Sequence, residues 1–284
     1  MARWRCSRGI GGALMLIAWT SAAAAPAASA SGATVAYYRF EEGTTGSAAS
    51  GSNTILDSSG NGINGTPFNG PVYSASVAAN PVPVVALPNA HSLSFNGTNQ
   101  RVFVPNVPAL SLTHSLTLEA DIDADSIQPG NADGNIIFRG DDGGGNDPYR
   151  LTFTSDGLGN NSVFFEVEAS GITTATVSAP VPLHQWTHVA GTLDDATGAM
   201  KIYVNGVLQQ SITTTVRPFE ILFGANPGIG IGALQSGSDS VGPEYFHGLP
   251  AACWASSPSF PGATRRVNEV RQFPTGGAMI SGSN

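Results

Sequence analysis

The sequence predicts an all-β protein, a two-sheet antiparallel β-sandwich of the jelly-roll type. Three observations carry this. Apolar and polar residues alternate in run after run, the period-2 signature of half-buried strands. Clusters of Gly, Asn, Asp and Ser bound the runs, and 35 Gly and 19 Pro in 284 residues make the chain turn-rich. No segment sustains a capped 3.6-residue apolar period, so helices are not expected. Many short strands without helices pack as a sandwich or jelly roll.

The elements follow in order. Residues 1–30 read as a signal peptide: Met1–Arg8 is basic, Ile10–Trp19 is apolar but too short to span a bilayer, and Ala28 and Ala30 fit a small-residue cleavage site. No later run has 18 apolar residues, so no membrane span is expected after signal removal, and the mature chain is expected to be secreted or periplasmic. Alternating runs then occupy 33–40, 92–97, 101–106, 115–124, 135–140, 149–156, 162–170, 185–193, 200–208 and 220–225. Asn-Gly pairs at 61–62, 64–65, 69–70, 96–97 and 205–206 mark turns, because both residues tolerate φ > 0. No Gly/Pro linker divides the set, so residues 31–249 form one sandwich domain. Residues 250–266 carry three prolines and no alternation and read as an irregular insertion. Val267–Phe273 alternates again and reads as a closing strand pairing antiparallel with the opening one, followed by a flexible tail over 274–284.

Composition excludes some functions. The chain has 12 basic and 20 acidic residues, a net charge of −8. Arg3, Arg5 and Arg8 leave with the leader, which makes the mature surface more negative still. Such a surface repels phosphate backbones and anionic headgroups, so nucleic acid is not an expected partner. Cys6 also leaves with the leader, so Cys253 has no internal disulfide partner and reads as an unpaired bystander. There is no nucleophile elbow, phosphate loop or zinc-spaced Cys/His cluster.

Several stretches carry a resemblance in their order along the chain. YYRFEEG (37–43) and ILDSSGNGINGT (55–66) come first, then SLSFNGTNQRVFVP (92–105) and SLTLEADI (115–122), then WTHVAGTLDDATGAMKIYVNGVL (186–208) and FHGL (246–249). In this order they resemble the laminin-G-like, concanavalin A-like jelly rolls of exported bacterial proteins. Two departures stand out: Asp121 takes the place of a usual Trp, and the insertion separates FHGL from the closing strand.

The resemblance implies a non-catalytic module whose partner is a glycan or a cell-surface protein, and one structural calcium ion at a rim. Calcium takes carboxylate and carbonyl oxygens. Glu41, Asp57 and Asn61 of the opening turn, with Asn268 of the closing strand, are the metal-site residues; Glu42 and Glu269 lie close in sequence. Asp57 and Asn61 equally suit Asx-turns. The acidic loop between two hairpin strands offers Asp141, Asp142, Asn146 and Asp147 as ligand-binding residues for sugar hydroxyls or a cation, or is a solvated loop.

Glu119, Asp121 and Asp123 alternate on one strand, opposite Leu116, Leu118, Ala120 and Ile122. Glycoside hydrolases of the laminarinase type share the broad fold, and Glu119 with Asp121 or Asp123 is the enzymatic alternative, since such chemistry needs two carboxyls across the scissile bond. The plainer expectation is a solvated face. Trp186 is expected in the core, and His184 and His188, about 13 Å apart on a strand, are not a shared metal site. A purely structural envelope module is the remaining reading.

Overall fold

The computed structural model describes residues 33–79, 89–127, 133–140, 147–156, 158–169, 173–220, 228–234 and 244–257. Their strands are β1 (Ala33–Tyr38), β2 (Thr66–Phe68), β3 (Val72–Ser74), β4 (Ser92–Asn96) and β5 (Arg101–Val104). Then come β6 (Leu116–Ser126), β7 (Asp133–Gly140), β8 (Tyr149–Ser155), β9 (Asn161–Ala169) and β10 (Thr173–Pro180). The last are β11 (Thr187–Leu193), β12 (Ala199–Val204), β13 (Val207–Thr213), β14 (Gly228–Ile231) and β15 (His247–Ser257). Among the described residues the helical content is a single 3-10 turn, Pro108–Leu110.

The strands form two antiparallel sheets. Sheet I runs β13-β12-β11-β6-β15-β4-β3, with β1 also paired to β15. Sheet II runs β10-β9-β8-β7-β14-β5-β2. The sandwich predicted from alternation is therefore the fold found. Turn chemistry sets the hairpins: Asn205 (φ 48) and Gly206 (φ 76) join β12 to β13 with both residues in the left-handed region, as a tight two-residue hairpin requires.

The inward faces meet in one core. Leu116, Leu118, Ala120 and Ile122 of β6 face Leu151 and Phe153 of β8 and Phe165 of β9, all buried. Close approach of the sheets needs a gap at Gly191 of β11. A Cβ there would lie 2.2 Å from the Phe165 Cγ of the opposite sheet. Tyr149 is fully buried, and its hydroxyl donates to the Leu110 carbonyl at 2.7 Å. Cys253 is buried and free, its thiol pushed up by burial.

The chain's end departs from expectation. Residues 250–257, read as the start of an irregular insertion, belong to β15, which lies between β6 and β1. The physical reason is local. Ala251, Cys253 and Ala255 supply a small-residue inward face that hydropathy runs of large residues overlook. Pro250 is accommodated because the register shifts between Pro250 and Ala252, a bulge where no ladder N–H is needed. The opening strand does have an antiparallel partner, with Tyr37 opposite Trp254 and Tyr38 opposite Cys253. The expected partner, Val267–Phe273, lies outside the described residues, as do 1–32, 258–266 and the tail.

Sequence reading also passed over β10 and β14. The inward residues of β10 are Ala175, Val177 and Ala179, and β14 is Gly-Ile-Gly-Ile; both lack the large alternating residues that signal a strand.

Candidate functional site

Among the described residues, the outer face of sheet II carries a connected polar network. Cross-strand register builds it in rows. Phe138, Arg150, Glu166 and Thr176 stand opposite one another on β7, β8, β9 and β10. Asn135, Thr152 and Phe164 form the adjacent row. Alternation dictates the facing: Leu151, Phe153, Phe165 and Val167 point into the core, so Arg150, Thr152, Phe164, Glu166 and Glu168 point out.

The side chains are tied together. Arg150 Nε donates to Glu166 Oε1 at 2.8 Å, and Thr176 Oγ1 donates to Glu166 Oε2 at 2.8 Å. Thr152 Oγ1 donates to Asn135 Oδ1 at 2.7 Å, and Asn135 Nδ2 donates to Glu244 Oε2 at 2.9 Å. Glu244 Oε2 lies 3.8 Å from Arg150 Nη1, closing the circuit. The guanidinium carbon stands 5.0 Å over the Phe164 ring, a cation–π contact. Arg150 and Glu166 keep 19% and 12% side-chain exposure, so the network reaches solvent.

Glu168 differs. It is 4% exposed, and its Oε1 is buried with no hydrogen bond among the described residues. Burial pushes its carboxyl above the usual range; the charge of Glu166 adds to this and Arg150 opposes it.

The expected ligand loop joins β7 to β8, which do pair as a hairpin. Asp141, Asp142 and Asn146 lie outside the described residues. Asp147 stands at the foot of β8, next to Pro148, whose carbonyl accepts the Glu168 N–H at 3.0 Å. Sequence reading missed Arg150, Glu166 and Glu168 as a group. Each was visible in its own alternating run, but only the pairing of β8 with β9 brings the runs together.

The outer face of sheet I is not the solvated face expected. Glu119, Asp121 and His188 are 6%, 4% and 2% exposed. They stand side by side across the β6–β11 ladder, with His188 opposite Asp121. His188 Nε2 lies 3.5 Å from Glu119 Oε2. The Asp121 carboxyl is pushed up to about 6, mainly by burial, with His188 drawing it down and Glu119 raising it. Beyond them Asp125 links two histidines, with Oδ1 3.1 Å from His184 Nδ1 and Oδ2 3.3 Å from His247 Nε2. Burial pushes the Asp123 carboxyl up as well. Trp186 is not in the core; it is half-buried and donates to Ser76 Oγ at 3.1 Å.

The described residues expected to hold calcium make hydrogen bonds of their own. Asp57 Oδ1 accepts the N–H groups of Tyr37 and Ser59 at 2.9 and 2.8 Å. Its Oδ2 accepts from Ser59 Oγ and from the Ile63 N–H at 2.8 and 3.1 Å. Asn61 turns its amide nitrogen, a donor, to the carbonyls of Thr34 and Val35. Glu41 Oε1 accepts the N–H groups of Ala90 and His91, and Glu42 Oε1 that of Leu56. These oxygens are engaged by donors, so Glu41, Asp57 and Asn61 do not fit a resident calcium; Asn268 and Glu269 lie outside the described residues. Among the described residues no His, Cys, Asp or Glu cluster suits a metal.

Comparison with known proteins gives one family match. A family model described as the concanavalin A-like lectin/glucanases superfamily (Laminin_G_3) matches residues 96–249, just over half of the chain. Domain 4 of AbnA, a GH43 extracellular arabinanase from Geobacillus stearothermophilus solved with arabinotriose, is 18% identical at a TM-score of 0.52, covering 85% of this chain and 99% of that one. The CBM40 of the Ruminococcus gnavus IT-sialidase, bound to α2,3-sialyllactose, is 16% identical at a TM-score of 0.46, covering 58% of this chain and 88% of that one. At these identities the likeness is one of fold. No curated protein matches the chain significantly.

Proposed function

We propose that this chain, which belongs to the concanavalin A-like lectin/glucanases superfamily, is an exported, non-catalytic module that binds carbohydrate on the outer face of sheet II. One observation carries the reading: the Arg150–Glu166 pair, with the guanidinium over Phe164 and linked through Glu244 to Asn135 and Thr152. Sugars offer hydroxyl pairs and apolar C–H faces. A fork of donors and acceptors beside an aromatic ring meets both needs. The arabinotriose complex of the AbnA domain supports the reading as an analogy of fold. Export rests on the basic, then apolar, then small-residue order of residues 1–30. N-terminal sequencing of secreted protein should begin near Ser31.

The test is glycan-array binding by the mature chain. Wild type binds, and Arg150→Ala and Glu166→Gln each lose at least tenfold, about 1.4 kcal/mol. Retained binding in both variants would move the site elsewhere.

A second reading, hydrolysis by Glu119 with Asp121 or Asp123, has one observation in its favour. A carboxyl held near 6 beside a second carboxylate is what acid–base cleavage of a glycoside uses. Against it, His188 Nε2 already lies 3.5 Å from Glu119 Oε2 and ties that carboxylate to the neighbouring strand. Release of reducing ends by wild type that collapses in Glu119→Gln would make this the function.

A further inference from the structure

We infer that the face of sheet II selects neutral glycans over acidic ones, with Glu168 as the specificity-determining acceptor; this rests on the carbohydrate-binding reading of the same face. The charge inventory is the first ground. Three carboxylates, Glu166, Glu168 and Glu244, surround Arg150 on β8, β9 and the segment entering β15. Arg150 is already shared: Nε is bonded to Glu166 and Nη1 lies near Glu244. Arg101, also on this outer face, stands three strands away with its guanidinium 4.3 Å over the Phe68 ring. A sugar carboxylate would meet three carboxylates around one cation whose Nε and Nη1 already face Glu166 and Glu244. The chain's net charge of −8 adds to the repulsion.

The second ground is independent of net charge. Glu168 is more than nine-tenths buried, and its Oε1 has no donor among the described residues. An ionised carboxylate only accepts, so whatever completes Glu168 must donate. A buried acceptor left open carries a desolvation cost that a donor removes. Glu168 sits two residues beyond Glu166 on β9, about 6.7 Å along the same face. Arg150, whose charge acts on Glu168, supplies guanidinium donors on the same face, its Nη2 making no hydrogen bond among the described residues. A sugar hydroxyl can accept from the guanidinium and donate to a carboxylate; a sugar carboxylate cannot donate. Below the pH at which Glu168 protonates, its elevated carboxyl loses this selectivity.

The experiment compares neutral oligosaccharides (xylo-, arabino- and galacto-series) with uronate- and sialate-containing counterparts by calorimetric titration of the mature chain at pH 7.5 and several salt concentrations. A neutral ligand is expected to bind at least tenfold more tightly than its acidic counterpart, with the gap narrowing as salt rises. Glu168→Gln, which can donate, is expected to weaken neutral binding about tenfold and narrow the gap while the melting temperature holds or rises. Equal or tighter binding of acidic ligands overturns the inference, as does a Glu168→Gln variant with unchanged selectivity, which would mean that buried water completes Glu168. Failure to bind any glycan of either class overturns the carbohydrate reading itself. Because the first comparison uses wild type alone, misfolding of a variant cannot decide it.

Discussion

At the scale of single residues, Asp121 shows what alternation conveys and what it leaves out. The period-2 pattern of SLTLEADI places Glu119, Asp121 and Asp123 on one face of β6, and the structure agrees. It does not reveal that Glu119 and Asp121 are buried, because the residues beside them come from β11 and β15, whose positions depend on pairing. The consequence is a pH dependence with a definite sign. The Asp121 carboxyl rises from 3.8 to about 6 on folding, so folding favours its protonated form. Its stabilising contribution is fully present below about pH 4 and is lost as the pH rises through 6. A shift of this size corresponds to about 3 kcal/mol at most. Asp121→Asn should flatten the stability curve between pH 4 and 7 and leave the protein as stable or more stable at pH 7.5; urea titrations at both ends of the range measure it. Gly191 is a second case. Alternation marks the WTHVAGTL run as a strand, but nothing local says that the glycine admits Phe165 from the facing sheet. Gly191→Ala should cost about 2–3 kcal/mol through overpacking, and pairing it with Phe165→Leu should recover part of the loss. Full additivity of the two changes would refute the contact.

At the scale of elements, the opening turn is a side-chain substitute for a neighbouring strand. β1 pairs with β15 along one edge. Along the other, the Tyr37 N–H goes to Asp57, the Tyr37 carbonyl accepts from the Ser58 N–H, and the Thr34 and Val35 carbonyls accept from Asn61. Side chains thus satisfy an edge that would otherwise present open backbone groups. The DSSGNG motif was legible as a turn, but Asx geometry and calcium ligation use the same residues, and sequence does not choose between them. Asp57→Ala should cost about 2–4 kcal/mol, since it strips acceptors from several N–H groups at once, with Asp57→Asn intermediate. A chelator should leave the melting temperature of wild type within about 1 °C, as a loop held by its own donors requires. A drop of several degrees in chelator would restore the ion. Sheet II guards its β10 edge in the same way: Gln210 of β13, from the other sheet, accepts the Ser178 N–H at 2.6 Å.

At the scale of the whole molecule, the fold was readable because most strands obey one simple period and the turns between them use Asn and Gly. What escaped were strands built from small residues. β15 is the costly omission: it lies between β6 and β1, and no run of large apolar residues announces it. Truncation after Leu249 would remove most of it. The shortened chain should fail to give a cooperative melt, because β6 and β1 would each lose a ladder at once. A truncated chain melting at the wild-type temperature would show that β15 is dispensable. The placement of β15 also has a temporal side. Ala33 meets Ser257 and Tyr38 meets Cys253, so the first described strand waits for the last. A ribosome delivers residues 33–246 before the strand they need exists, and closing so wide an interval is slow, as it is for folds dominated by distant pairings. Sheet I then stays open until residues 247–257 have been made, a state that any machine handling only unfolded chains could still thread.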